Sequence, residues 1–375
     1  VYVKSDQLAG ATLSYEINQV DLFVDDDELR AIAPSIAAHW LTEGPNAAAF
    51  QDRLRELTGA KHVFFAPNGT LGLFLAALAL EAKPGDEMLI PSFTFYGSAA
   101  AAHFAGFKPV FVDCDPETFN ATPDAFANAI GPKTRAIMPV HIYGQACDME
   151  GIMAVARGKN IAVLEDAAQA LSVKFNGKAA GTFGDIGVYS LFSDKVITTG
   201  EGGVVVTQSD ELAGHIKLLR NQGRPNSGTF VHPSLGMNFR ITDIQAAIGL
   251  SQLKKLPLIL ADRQKKWRRY EEGLRGVGDV RPMRVIPGST LTPFRFPFVT
   301  SDRERLAASL EAAGVQTRGF FHPMHLQPKF QVDGQKPLPV SEALGRTGIC
   351  LPIHHHITDA NIDKMIDVVR RHFRG

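Results

Sequence analysis

Ser190-Leu191-Phe192-Ser193-Asp194-Lys195-Val196-Ile197-Thr198-Thr199-Gly200-Glu201-Gly202-Gly203 is the stretch on which the reading of this chain turns. An apolar run at 186–189 precedes it, and Val204-Val205-Val206 follows. A lysine between two apolar strands, beside hydroxyl residues and a glycine-rich turn, is placed for partial burial. Burial lowers an amine's pKa, and a neutral amine attacks a carbonyl to form a Schiff base. Most lysines are solvated surface charges, so the surroundings must make the case for this one.

Outward from that stretch, short apolar runs alternate with helical patterns. Strands are expected at 62–65, 87–90, 109–112, 136–140 and 161–164, and helices at 70–81, 96–105, 123–129 and 149–157. Strands that are apolar throughout, separated by helices, predict an α/β fold with a mixed, mostly parallel sheet between helices. Ligands then gather at the carboxyl ends of the strands. Further helices are expected at 209–219 and 241–255, with a possible extension over 260–274. A strand-like segment at 292–299 and helices at 303–312 and 359–373 read as a smaller C-terminal α+β domain. The division falls near Leu256-Pro257, giving a large domain over 1–256 and a small one over 257–375, with the N-terminal segment free to pack on the latter.

Three other stretches carry chemistry. Glu165-Asp166-Ala167-Ala168-Gln169 follows the strand at 161–164, so an acid stands at a strand's carboxyl end, facing the crevice. Pro67-Asn68-Gly69-Thr70 opens the apolar helix from Leu71, and a helix N-terminus after a glycine turn suits a phosphate; Thr70 as a plain N-cap reads equally well. Gly236-Met237-Asn238-Phe239-Arg240-Ile241-Thr242-Asp243 says helix start and, alone, little more.

Composition removes several functions. In 375 residues, 39 Lys and Arg balance 39 Asp and Glu, so no global field draws nucleic acid or an anionic membrane. The longest apolar run, 71–80, is half the length of a membrane span. Cys114, Cys147 and Cys350 are odd in number and far apart, which fits a reducing cytosol better than disulfides or a thiolate zinc site. Residues 1–6 lack the basic-then-apolar pattern of a secretory leader. His354-His355-His356 point to alternate sides of an extended segment and make a poor metal site; no metal is expected.

Taken together, in this order and spacing, these stretches resemble the DegT-type (DegT/StrS) sugar aminotransferase family of fold type I pyridoxal 5'-phosphate (PLP) enzymes. Trp40-Leu41-Thr42-Glu43-Gly44-Pro45, Pro91-Ser92-Phe93-Thr94-Phe95, Pro139-Val140-His141-Ile142-Tyr143-Gly144-Gln145 and Leu351-Pro352-Ile353-His354 extend the resemblance over nearly the whole chain. It implies that Lys195 carries the cofactor covalently and that Asp166 pairs with the pyridine nitrogen. Phe95 would lie against one face of the ring and Ala168 against the other, with Gln169 near the ring hydroxyl. Gly69, Thr70 and Ser190 would hold the phosphate, and Asn238 would reach it from a second subunit, so a homodimer with shared active sites is expected. Substrates are expected to be L-glutamate and a nucleotide-linked keto-sugar, with His325, His141 and Arg240 as candidate sugar contacts.

Phe321-His322-Pro323-Met324-His325, near Thr317-Arg318, looks like the enzymes that make perosamine-type 4-amino-4,6-dideoxy sugars. Such relatives carry Gly-Asn before the lysine where this chain has Ser193-Asp194. Leu191, Tyr96 and Gly97 also depart from the pattern. These changes leave a 3-keto sugar or a cyclitol ketone open as acceptor. A dehydratase of the same family would replace the lysine by histidine, and a PLP-binding regulator would not need the intact lysine and acid.

Overall fold

The computed structural model describes residues 15–226, 228–332, 334 and 336–374. Residues 1–6, where a leader was sought, lie outside them.

Burial on both faces explains the large sheet. Its strands are β1 (His62–Ala66), β2 (Glu87–Pro91), β3 (Lys108–Val112), β4 (Thr134–Ile137), β5 (Ala162–Asp166), β8 (Ile186–Ser190) and β9 (Gly203–Thr207), with a small hairpin of β6 (Lys174–Phe175) and β7 (Lys178–Ala179) between β5 and β8. Successive side chains point to opposite faces. Thus Val204 and Val206 pack with Phe50, Leu54 and Phe65 on one side. Val205 packs with Leu73, Ala76 and Ile90 on the other. Both faces are covered, so every β9 position is buried.

The strand order is β1-β9-β8-β5-β4-β2-β3. The pairs from β8 to β3 are parallel, and β9 runs antiparallel to both of its neighbours. The carboxyl ends of β1, β2, β5 and β8 therefore open on the same edge. Register makes this concrete: Gly203 pairs with Ala66 on one side and Ser190 on the other.

The helices, in chain order, are α1 (Asp26–Ala37), α2 (Pro45–Thr58), α3 (Gly69–Ala79), α4 (Tyr96–Phe104), α5 (Pro123–Ala129), α6 (Met149–Arg157), α7 (Asp210–Leu219), α8 (Asp243–Leu274), α9 (Arg303–Ala312), α10 (Pro339–Thr347) and α11 (Asp359–Arg374). Sequence patterning did not reveal α1, α2 or α10. Helix α8 is one element of 32 residues that runs straight through Leu256 and Pro257. Pro257 removes one amide donor, yet packing on both sides carries the helix on. Its first half joins the core of the large sheet through Ala246, Leu256 and Ile259. Its second half joins another core through Trp267, Tyr270 and Leu274. A division near 256 thus falls within a helix and not at a linker.

That second core lies under an antiparallel sheet of β10 (Arg281–Pro282), β11 (Phe296–Val299), β13 (Gly348–Leu351) and β12 (Arg318–Gly319), in this spatial order. The expected strand 292–299 shrinks to β11, because Thr292 spends its amide on Gly144 O at 2.8 Å. The N-terminal segment packs here: Ile17 bridges Val315, and its amide donates to Gly314 O at 3.0 Å. Among the described residues no helix is long and apolar enough to cross a membrane.

Two glycines in helices test this packing in opposite directions. A Cβ on Gly249 of α8 would meet Phe50 Cε1 at 2.3 Å, whereas one on Gly214 of α7 would meet nothing within 4 Å. Gly249→Ala is expected to destabilise by about 1–3 kcal/mol through overpacking. Gly214→Ala should stabilise by roughly 0.5–1 kcal/mol through lower backbone entropy in the unfolded chain. Urea unfolding of both variants measures the contrast.

Candidate active site

A loop of twelve residues joins β8 to β9, and its two ends are pinned by the Ser190–Gly203 pair. Inside it, Leu191 O accepts from Thr199 N at 3.0 Å and Thr198 Oγ1 at 2.9 Å. The Leu191 amide donates to Gly202 O at 2.8 Å. Gly200 adopts φ +80°, which the turn requires. A Cβ at Gly203 would run into Asn68 O at 2.3 Å, so this glycine lets the lysine loop abut the start of α3. The loop is thereby folded tightly enough to hold Lys195 with only 16% of its side chain exposed.

The Lys195 amine stands 4.4 Å over the Phe294 ring and 3.1 Å from Asp194 Oδ1. Burial pulls its pKa below the usual lysine range; Asp194 opposes that shift without cancelling it. Across the same cavity, Asp166 closes β5. Its Oδ2 accepts from Ser98 Oγ at 2.7 Å and its Oδ1 from Ala168 N at 3.1 Å. Burial pushes this carboxyl up, with the Ser98 and Ala168 hydrogen bonds acting against it. A protonated ring nitrogen beside it would favour the charged form again.

Helix α3 begins at the cavity wall. Asn68 caps it by accepting Leu71 N at 2.9 Å. The first amides of a helix have no acceptor within it, and Gly69 and Thr70 line the cavity. A Cβ on Gly69 would crowd Ser190 Cβ at 2.8 Å, and one on Gly97 would crowd Thr70 Oγ1 at 2.8 Å. The absence of side chains there lets Thr70, Ser190 and the start of α3 line the cavity together, a polar cradle suited to a phosphate. Phe95, 57% exposed, presents its ring to the cavity, and half-buried Ala168 offers only a methyl. Gln169 spends its carbonyl on Tyr143 N at 2.8 Å and also lines the cavity. The volume is about 730 Å³, room for a cofactor and a large second ligand. Buried acid, buried amine, glycine cradle and exposed ring together fit PLP.

Gly69, Thr70, Phe95, Asp166, Ala168, Gln169, Ser190 and Lys195 are thus brought to one cavity. The other candidates are not. His141 is fully buried; its Nδ1 accepts from Cys147 N at 3.0 Å, so Nε2 carries the proton given to Glu165 Oε2 at 2.9 Å. Glu165 also takes the amides of Gly181 and Gly184, at 2.7 and 2.6 Å. This arrangement departs from the expected sugar contact: His141 stands behind Asp166 and not on the cavity wall, and its backbone amide donates to Asp166 O at 3.0 Å. His325 is 2% exposed, with Nδ1 2.6 Å from Ser92 Oγ and Nε2 3.4 Å from Glu342, so it too stands behind the wall. Arg240 donates to Asn221 Oδ1 at 2.9 Å, and exposed Asn238 bridges the same residue; neither reaches the cavity of its own chain.

Ser98 and Arg295 were missed at the sequence level, and Tyr143 and Arg318 were quoted there only within motifs, without a role; all four line the cavity. Arg295 carried a signal: a charge inside the apolar run Phe294–Phe298 needs a buried partner, here Asp194 Oδ2 at 2.8 Å. Ser98 carried none beyond its place on the first turn of α4. The three consecutive histidines are spent on Asn18 O, Asp262 and Leu22 O, at 3.0, 3.1 and 3.0 Å.

A family model, the DegT/DnrJ/EryC1/StrS aminotransferase family, matches residues 23–370. The GDP-perosamine synthase of Caulobacter vibrioides is 38% identical over 92% of this chain and 94% of its own. The UDP-N-acetyl-3-dehydro-alpha-D-glucosamine 3-aminotransferase of Acidithiobacillus ferrooxidans is 35% identical over 88% of this chain and 90% of its own. The aminotransferase TlmJ of Streptoalloteichus hindustanus superimposes with a TM-score of 0.91 at 32% identity, over 95% of this chain and 98% of that one.

His354, 7% exposed behind the lysine loop, yields a pH prediction. Burial holds its pKa down at about 4 against an ordinary 6.5, so the fold keeps it neutral. A base with a lowered folded pKa contributes its full stability above about pH 6.5 and loses it as pH falls towards 4. Denaturant midpoints measured across this window should decline in the parent protein. In His354→Gln that part of the decline should disappear.

Proposed function

The chain belongs to the DegT/DnrJ/EryC1/StrS aminotransferase family, and from that premise we propose that it moves an amino group from L-glutamate to a nucleotide-diphospho-4-keto-6-deoxyhexose, for deoxyamino-sugar biosynthesis. It is a PLP-dependent sugar aminotransferase. The observation that carries the transamination reading is the placing of an amine of lowered pKa and a buried acid on one roomy cavity that Gly69, Thr70 and Ser190 also line; the 4-keto acceptor rests on the likeness to GDP-perosamine synthases.

The chemistry PLP supplies when bound is an electron sink for the carbanion formed beside an amine nitrogen. Asp166 would hold the proton on the ring nitrogen, since a carboxylate at 5% exposure is stabilised most by a cation. Lys195 would carry the cofactor and then, once displaced, act as the base and acid at the donor and acceptor carbons. Its lowered pKa keeps a neutral fraction available to take a proton. Gly69, Thr70 and Ser190 would hold the phosphate. Phe95 and Ala168 would confine the ring between an aromatic face and a methyl, stacking worth about 1 kcal/mol beyond burial.

We further propose a homodimer with shared sites. Phe230, Val231, Leu235 and Met237 are 89%, 70%, 91% and 53% exposed on the segment that leads to Asn238. Side chains so apolar and so exposed suit burial against a second copy, which would carry Asn238, and Arg240 beside it, to the partner's cavity. A 3-keto acceptor is the second reading, favoured by the likeness to a 3-aminotransferase.

L-glutamate added to the PLP-loaded protein should abolish the yellow absorbance of the bound cofactor. A panel of GDP-, dTDP- and UDP-linked 4-keto and 3-keto sugars should then show which one restores it. Bleaching by no amino donor would overturn the reading. Lys195→Ala is expected to retain PLP without covalent attachment, so borohydride should fix no cofactor to that variant, and turnover should drop by about 10⁴-fold or more.

A further inference from the structure

Three basic side chains with permanent or potential charge line the main cavity near Asp194, and they are not equivalent. Lys195 sits 3.1 Å from Asp194 Oδ1. Arg295 is 6% exposed and donates to Asp194 Oδ2 at 2.8 Å, so its charge is matched by that carboxylate. Arg318 lies 3.9 Å from the same Oδ2, outside hydrogen-bond range, with its side chain 61% exposed. Asp194 therefore faces two guanidiniums of permanent charge, and Arg295 has the better claim to it. The surplus positive charge rests on Arg318, whose guanidinium offers donors to the cavity that Asp194 does not take.

Position adds to the charge argument. Arg318 is on β12, paired in register with Cys350 of β13, so its backbone is set by the small sheet. The side chain reaches from that sheet to the same carboxylate that Lys195 touches, which places it at the reacting end of the cavity. Guanidinium groups bind carboxylates through two parallel hydrogen bonds, more strongly than neutral pairs do. At 61% exposure the guanidinium is free to turn toward a carboxylate entering the cavity, where two parallel charge-assisted hydrogen bonds offset the water it gives up.

We infer that Arg318 is the carboxylate-binding residue of this cavity, taking a carboxylate delivered to the Lys195 end of it. The inference rests on the aminotransferase reading. Two sources share this chemistry: the amino donor and a sugar oxidised to a uronic acid. The donor is the source available in every turnover, and the experiment separates the two.

Arg318→Gln and Arg318→Lys are compared with the parent, all loaded with PLP, by calorimetric titration with three probes. Glutarate stands for an unreactive dicarboxylate donor, UDP-glucuronate for an acidic sugar nucleotide and UDP-glucose for a neutral one. With the donor as source, Arg318→Gln weakens glutarate roughly 10- to 100-fold, Arg318→Lys recovers part of it, and the KM for L-glutamate rises more than kcat falls. With a uronate as source, the loss falls on UDP-glucuronate and spares UDP-glucose. Unchanged binding of both acids, or equal weakening of UDP-glucose, overturns the inference. If the parent turns over with L-glutamate while Arg318→Gln binds glutarate and UDP-glucuronate equally well, only this inference fails. If no amino donor converts the parent, the aminotransferase reading fails instead.

Discussion

Two ionisable groups withheld from water, the carboxyl of Asp166 and the amine of Lys195, are the constraint on which the site depends. Each is displaced from its ordinary pKa by burial, the acid upward and the amine downward. Neither shift would arise on an open surface, where water stabilises both charges. The fold must therefore bury two polar groups and still leave a route to them. It does so by ending β5 at Asp166 and by folding the lysine loop back between β8 and β9.

That requirement accounts for much of the local structure. Ser98 and the Ala168 amide hold the two oxygens of Asp166. Behind it, Glu165 takes one ring proton and two backbone amides, so a fully buried acid is satisfied without reaching the cavity. The glycines at 69, 97 and 203 serve close approach, each where a methyl would strike a neighbour at under 3 Å. A phosphate needs backbone amides at short range, and side chains there would keep it away.

The two cores meet at the cavity. Phe93, Val140 and Tyr143 come from the large sheet's edge but pack with Phe296, Phe320 and Ile349 of the smaller sheet. Arg295 and Arg318 cross the same boundary to Asp194. The wall beyond the lysine is thus built by residues a hundred positions or more downstream of it. Helix α8 passes from one core to the other without a break and couples their orientation.

The chain's order alone determined the α/β alternation, the lysine loop with its glycine turn, and the acid at a strand end. These are local signals: apolar runs, turn residues, and residue types at short fixed spacing. The same signals pointed to the cradle at Gly69 and Thr70. Only the tertiary structure decided which histidines line the cavity. His141 and His325 sit in motifs that read as contacts, yet partners 24 and 233 positions away occupy their ring nitrogens. It also decided that Pro257 does not end a helix, and that Asp194 is shared among Lys195, Arg295 and Arg318. Burial and charge pairing arise between segments distant in sequence, and no local pattern records which distant side chain will arrive.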